Sequence, residues 1–261
     1  VGDFNQDGWP DLYVSNDFST PDYFYFNNGD GTFREAIKET TRHISFYGMG
    51  VDVGDINNDG LLDIIQAEMN PADNFRSKAN MASMNPPLFW GAVSLGFHYQ
   101  YMQNTLQLNQ GIRANGLPFF SDISRKAGMA STDWSWSTLF MDMNNDGWKD
   151  VFISNGIRRD INNKDFFKLI TKQSFLSRFK DYIELSEAIP SEKVPNYAFK
   201  NINGLEYEDA SVDWGLAFKG FSNGAAYSDL DNDGDLDLLV NNVDTIASIF
   251  ENRASNDTDN D

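Results

Sequence analysis

Asp142-Met143-Asn144-Asn145-Asp146-Gly147-Trp148-Lys149-Asp150 is one of four copies of a single pattern. The others are Asp3-Phe4-Asn5-Gln6-Asp7-Gly8-Trp9-Pro10-Asp11, Asp55-Ile56-Asn57-Asn58-Asp59-Gly60-Leu61-Leu62-Asp63 and Asp229-Leu230-Asp231-Asn232-Asp233-Gly234-Asp235-Leu236-Asp237. All read D-x-[ND]-x-D-G-x-x-D. Oxygen-bearing side chains recur at the first, third, fifth and ninth positions, and the glycine at the sixth permits a tight turn. Alternate side chains can then aim their oxygens at one centre. That suits a hard cation taking about six to eight oxygens, Ca²⁺ above all. Mg²⁺ fits less well, because it demands a strict octahedron and holds its waters.

The pattern is not an EF-hand. That motif needs a bidentate Glu at its twelfth position, on a helix leaving the loop. Here the twelfth residues are Val14, Gln66, Ile153 and Val240. Each loop is followed by a short apolar run, such as Leu12-Tyr13-Val14 or Val151-Phe152-Ile153, which reads as a strand. The loops therefore join strand to strand.

The chain of 261 residues is long enough to bury a sizeable core. Its net charge is −19, and the four loops hold 14 of the 39 acidic residues. Four Ca²⁺ ions would bring the net charge to −11, so much of the acidity is cation-site chemistry. Nucleic acid is not an expected partner, since phosphate binding needs basic patches. No cysteine is present, which excludes disulfides and thiol catalysis. No apolar run approaches the length of a membrane span. Calcium sites of this kind suit compartments where calcium is plentiful, so an extracytoplasmic location is expected. The opening Val1-Gly2 runs straight into a loop, which suggests an excerpt of a longer protein with further domains.

The loops begin at residues 3, 55, 142 and 229, a spacing of 52, 87 and 87 residues. The short interval suggests a bare unit of about 50 residues, close to a propeller blade. The longer intervals suggest the same unit with an insertion. In the third copy the unit reads as four strands: Trp134 to Met141, Val151 to Ser154, Tyr197 to Asn201 and Glu206 to Asp209. The Asn203-Gly204 pair between the last two is a hairpin signal. The second copy repeats the order with Tyr47 to Val53, Asp63 to Gln66, Asn104 to Asn109 and Phe119 to Asp122. The first copy lacks its first strand, keeping Tyr23 to Asn27 and Thr32 to Arg34. The fourth ends near Phe250 to Asn252. The expected fold is an all-β, partial β-propeller of four repeats of four-stranded blades over residues 1–252. Insertions are expected at about 68–97 and 156–195, and a polar tail or linker at 253–261. Lys164 to Leu185 has helical spacing, with Phe166, Ile170, Phe175, Phe179 and Ile183 recurring. Glu68 to Phe97, rich in Met, Asn and Pro, reads as a packed loop with a helical turn or two.

These loops, the aromatic or glycine-rich strand before each, and the Asn28-Gly29-Asp30-Gly31-Thr32-Phe33 hairpin resemble the FG-GAP/VCBS repeat family of calcium-binding β-propellers. His98-Tyr99-Gln100-Tyr101-Met102-Gln103-Asn104-Thr105-Leu106-Gln107-Leu108-Asn109, Asp133-Trp134-Ser135-Trp136, Asn155-Gly156 and Arg158-Arg159-Asp160 are similar to bacterial VCBS proteins akin to cartilage acidic protein. The resemblance implies calcium ligands at the first, third, fifth and ninth positions, with the seventh backbone carbonyl added. Those are Asp3, Asn5, Asp7, Trp9 and Asp11; Asp55, Asn57, Asp59, Leu61 and Asp63; Asp142, Asn144, Asp146, Trp148 and Asp150; and Asp229, Asp231, Asp233, Asp235 and Asp237.

No catalytic residue stands out. His43 and His98 are isolated histidines, so a zinc site or a Ser-His-Asp triad has little support. Trp90, Trp134, Trp136, Trp148 and Trp214 could stack on sugars but more often fill interfaces between blades. Arg158 and Arg159 read as a solvated pair at the start of an insertion. The expected function is a non-catalytic, calcium-binding module for a glycan or protein ligand in binding or adhesion. Two alternatives stand beside it. One is the propeller of a calcium-dependent polysaccharide-degrading enzyme, which would need basic, acidic or aromatic residues of several blades to converge at one mouth. The other is a pure protein-interaction scaffold, which would leave the apolar face of Lys164 to Leu185 partly exposed.

Overall fold

The computed structural model describes residues 1–18, 20–80 and 85–254. Four antiparallel sheets follow one another along the chain. Sheet 1 holds Leu12–Val14, Tyr23–Asn27 and Phe33–Glu35. Sheet 2 holds Val51–Gly54, Asp63–Gln66, Thr105–Ile112 and Pro118–Asp122. Sheet 3 holds Ser135–Met141, Asp150–Asn155, Tyr197–Asn201 and Tyr207–Asp209. Sheet 4 holds Ser222–Ser228, Asp237–Asn242 and Ser248–Phe250. In each sheet the strands neighbour one another in sequence order.

The core is a stack of layers between successive sheets. Phe4, Tyr13, Phe24 and Phe26 meet Ile64 and Phe120 between sheets 1 and 2. Ile56, Ile65 and Leu106 meet Phe140, Val151 and Phe199 between sheets 2 and 3. Met141, Phe152 and Ala198 meet Leu238 and Val240 between sheets 3 and 4. An interior sheet is therefore covered on both faces. This explains why Val151-Phe152-Ile153 is a continuous apolar run rather than an alternating one. In Tyr23–Asn27 the two faces differ: Phe24 and Phe26 are buried towards sheet 2, while Tyr23 and Tyr25 stay half-buried on the other side.

The first strands of sheets 2, 3 and 4 lie side by side in turn. The Phe140 N–H crosses from sheet 3 to donate to Asp52 of sheet 2 at 2.8 Å. Gly50 allows the close approach, since a side chain there would run into the Trp136 carbonyl.

The all-β reading and the strand order match the expectation, with strand ends displaced by a few residues. The first strand of sheet 2 starts at Val51 rather than Tyr47, because Ala67 faces two residues at once before the regular ladder begins: it accepts from the Met49 N–H at 3.0 Å and donates to the Gly50 carbonyl at 2.8 Å. The helical spacing of Lys164 to Leu185 is broken into three short helices, Lys164–Ile170, Gln173–Leu176 and Tyr182–Glu187. Side-chain caps start the first and the third of them, whereas the second begins at Lys172 without one. Asn163 accepts from the Phe166 N–H, and Asp181 accepts from the Ile183 and Glu184 N–H groups. The 68–97 insertion is less packed than expected. It carries helices Asn74–Ala79 and Pro86–Ser94, and Phe75, Leu88, Trp90 and Leu95 are exposed. Met81, Met84 and most of the expected tail lie outside the described residues.

Candidate cation-binding loops

Each D-x-[ND]-x-D-G-x-x-D loop joins the first two strands of its sheet, or precedes the first ladder strand in sheet 1. The fourth residue takes the left-handed conformation: Gln6, Asn58, Asn145 and Asn232 have φ of 56°, 56°, 57° and 62°. The sixth-position glycine follows with positive φ in every loop. This double reversal gathers the side chains of positions one, three and five.

Loops 1 to 3 share one hydrogen-bond pattern. The first aspartate accepts from the fifth and sixth N–H groups: Asp7 N to Asp3 at 3.1 Å and Gly8 N to Asp3 at 2.8 Å. The Asn5 side-chain amide donates to Asp7 at 2.8 Å. Asn57 and Asn144 repeat that contact with Asp59 and Asp146 at 2.9 and 2.8 Å. Loop 4 departs from it, because Asp231 replaces the asparagine and has no amide to donate. Carboxylate oxygens of Asp229, Asp231 and Asp233 lie within 4.8 Å of one another. The buried Oδ1 of Asp229 has no hydrogen-bond partner.

The ninth aspartate ties the loop to the sheet. Both oxygens of Asp150 accept backbone bonds, from Met143 N–H at 2.9 Å and from Asn201 N–H at 2.8 Å. Asp11 holds Phe4 and Asn27, Asp63 holds Ile56 and Asn109, and Asp237 holds Leu230 and Asn252 in the same way. All four are buried. Burial pushes the carboxyls of Asp63 and Asp150 up to about 7 against the pull of these N–H donors, with the loop's other aspartates adding to the rise. Asp11 is also raised, again chiefly by burial. Carboxylate oxygens keep a second lone pair, so this role is compatible with metal ligation.

The loops also bond to one another. Gln6 donates to the Gly60 carbonyl at 2.9 Å, and Asn58 donates to the Gly147 carbonyl at 3.1 Å. Asn145 donates to the carboxylate of Asp235 in loop 4. A second series runs backwards. The side-chain amide of an asparagine in or just after the third strand of sheets 2, 3 and 4 donates to the loop of the preceding sheet. Asn109 reaches the Phe4 carbonyl at 3.4 Å, Asn201 the Ile56 carbonyl at 2.8 Å, and Asn252 the Met143 carbonyl at 3.0 Å.

Residues 3–65 match the FG-GAP-like repeat family. The matched stretch runs from the first loop through sheet 1 to the second strand of sheet 2, and so contains two of the four loops whole. A search of curated proteins finds no match to the chain.

The other sequence candidates keep separate partners. His98 is buried against Thr41 at 2.9 Å, while His43 pairs with Asp122 at 2.9 Å. Arg158 is exposed, as expected, and pairs at the surface with Asp244, beyond the second strand of sheet 4, at 2.7 Å. Arg159 donates to the Ile189 carbonyl at 3.3 Å, inside its own insertion. Trp134 and Trp136 stack with centroids 6.5 Å apart, and Trp214 packs between sheets 3 and 4. Trp9 and Trp90 are exposed.

Two features escaped the sequence reading. Arg76 is buried and binds Asp133 through two nitrogens at 2.8 and 2.9 Å, Asp160 at 3.4 Å and Glu192 at 2.8 Å. It joins both insertions to the edge of sheet 3. Glu68 is buried and accepts from Ser45 Oγ and from the N–H groups of Phe46, Tyr47 and Met69. Neither has a local motif, because most of their partners are distant in sequence.

Proposed function

We propose that the chain is a calcium-binding β-propeller segment that acts, without catalysis, as an extracytoplasmic module for binding or adhesion. The side-by-side first strands and the layered core support a radial arrangement of the sheets. The observation that carries the metal reading is loop 4. Three carboxylates converge there without a cationic side chain, and one buried oxygen has no partner. Such an arrangement is costly unless a cation compensates it. Side-chain oxygens of Asp229, Asp231, Asp233 and Asp237 and the carbonyl of Asp235 would hold calcium there, and the matching positions would hold it in loops 1 to 3. In those loops the third-position asparagine would present its carbonyl oxygen to the ion. The ion would neutralise the carboxylates and pin one strand connection to the next.

The scaffold reading is favoured by one observation. The insertions leave Trp90, Leu95, Tyr182 and Ile183 exposed, which suits a protein ligand better than a bare structural role. The test is calorimetric calcium titration of the EDTA-stripped protein, with thermal melts on the same samples. Several sites and a higher Tm with calcium are expected. Absence of binding would overturn the metal reading and leave the scaffold reading standing.

A further inference from the structure

The residue five places after the last aspartate of each loop is Asn16, Glu68, Asn155 or Asn242. In sheets 1, 3 and 4 the asparagine amide clasps the connection to the third strand. Asn16 donates to the Pro21 carbonyl at 2.8 Å, Asn155 to that of Pro195 at 3.0 Å and Asn242 to that of Ile246 at 3.1 Å. The backbone N–H at this position is used alike in three sheets. Asn16 donates to the Asp22 side chain, Glu68 to Asn104 and Asn155 to Asn196, at 2.7, 2.7 and 2.9 Å. In sheets 3 and 4 the amide oxygen also accepts a serine hydroxyl from the facing first strand, Ser135 at 2.7 Å and Ser222 at 2.8 Å. Glu68 keeps the place and the backbone bond but exchanges a neutral amide for a carboxyl.

A carboxylate has no proton to donate, so it cannot make the amide's clasp. The longer side chain turns instead to the approach of the first strand. It accepts from the Ser45 hydroxyl, from the Phe46 N–H at 2.9 Å and from the Tyr47 N–H at 2.7 Å. This approach has little other support. Ile44–Ser45 makes only a two-residue parallel pairing with Gln100–Tyr101. The Phe46 N–H is shared with the Tyr101 carbonyl at 3.1 Å, and the Tyr47 N–H has Glu68 as its sole partner among the described residues. The Tyr47 ring lies edge-on to Phe46 and Phe18, with centroids 4.6 and 5.2 Å away. It also packs on the buried Met69 and Trp134.

Glu68 is fully buried, and no lysine, arginine or histidine pairs with it among the described residues. The Tyr47 hydroxyl faces it, with Asp17 beyond. Tyr101 flanks Ser45, and Asp133, beside Trp134, is neutralised by Arg76. We propose that Glu68 is a proton-controlled latch: the Phe46–Tyr47 segment closes on it when the carboxyl is protonated and loosens when the carboxyl ionises. The Ser45 hydroxyl donates to the carboxylate and can turn to accept from the acid. Burial outweighs the donors and pushes the carboxyl up to about 7. Opening the segment hydrates it and returns it towards its ordinary 4.5, so closure takes up a proton. The closed form is fully favoured below about pH 4.5 and loses that advantage as pH rises through about 7. The latch rests on the comparison of the four clasps and not on metal binding.

Hydrogen exchange of the backbone amides at about pH 6 to 8 in calcium buffer tests it, after correction for the intrinsic rise of exchange with pH. The opening constant of the Tyr47 amide should rise about tenfold over that range. In Glu68→Gln, which mimics the neutral acid, it should stay flat with pH whatever its level. The Ile56 and Asn109 amides, which hold Asp63 at the loop end, should not follow this substitution. A Tyr47 opening constant that is flat in the parent overturns the proposal. So does a rise that persists in Glu68→Gln, or an equal change at Ile56 and Asn109, which would assign the effect to the whole fold. Carboxyl NMR titration of the parent needs no variant and decides the case if Glu68→Gln fails to fold. A Glu68 midpoint near 7 supports the latch, and one near 4.5 overturns it.

Discussion

The two ends of the sheets solve the problem of buried charge in different ways. At the loop end, aspartates are held by backbone N–H groups and asparagine amides, with no arginine or lysine in the hydrogen-bond pattern. At the insertion end, a single buried arginine neutralises Asp133 and Asp160 and reaches out to Glu192. The loop solution is local and repeats four times. The insertion solution happens once and ties together residues up to 116 positions apart. A carboxylate held by dipoles alone leaves room for an external cation, whereas one held by a guanidinium does not. Calcium should therefore tune one end and leave the other unchanged.

The sharpest way to break the contrast is Arg76→Met. It strands two buried carboxylates and should cost about 3–5 kcal/mol, equally with and without calcium. A loss that calcium largely repairs would mean that the two ends are not independent. Denaturant melts in EDTA and in calcium measure it. Asp150→Ala comes next. It leaves the Met143 and Asn201 N–H groups without their acceptor, at about 1–3 kcal/mol each. Part of that cost should persist in EDTA, because the aspartate buckles the loop to the sheet whether or not a metal is bound. A variant as stable as the parent in EDTA would refute the buckle.

His98 gives a pH test at neither loop. Burial first, then the charges of Lys38 and His43, push its pKa down to about 4 from 6.5. The fold thus holds the neutral ring. Its contribution is full above about pH 6.5 and is lost as pH falls towards 4, to the extent of about 3 kcal/mol at most. His98→Asn should flatten that part of the stability profile, as read by melts between pH 4 and 7. An unchanged slope would assign the acid sensitivity elsewhere. The smallest effect is expected for Asp231→Asn, which gives loop 4 the asparagine of the other three. The variant should gain a little stability in EDTA by restoring the internal amide bond. It should bind calcium more weakly at that site, measured by calorimetry. A loss of stability in EDTA would show that the three carboxylates are compensated in some other way.

Much of the fold was legible because the repeat is written in local chemistry. The turn geometry needs glycine at the sixth position, and the strand after each loop needs apolar residues. Tyr23–Asn27, Asp63–Gln66 and Tyr197–Asn201 fall where the pattern placed them. The insertions were less legible. Helical spacing over Lys164 to Leu185 did not reveal that Asn163 and Asp181 each start a separate helix, since a capping side chain and a solvated one look alike in a sequence. Nor could spacing show that both oxygens of Asp150 are engaged by backbone donors, one of them 51 residues away.

What the chain's sequence determined by itself is the repeat: four oxygen-rich turns between short strands, and hence an all-β protein with its acids concentrated at the turns. Those features depend on residues within about ten positions of one another. Tertiary structure alone decided that a buried oxygen of Asp229 has no partner and that Asp133 and Asp160 are neutralised by Arg76. It alone decided that Glu68 is buried where it grips Phe46 and Tyr47. The reason is physical. Burial and charge compensation belong to the neighbours a residue acquires when distant segments pack, and repeated positions acquire different neighbours in different sheets.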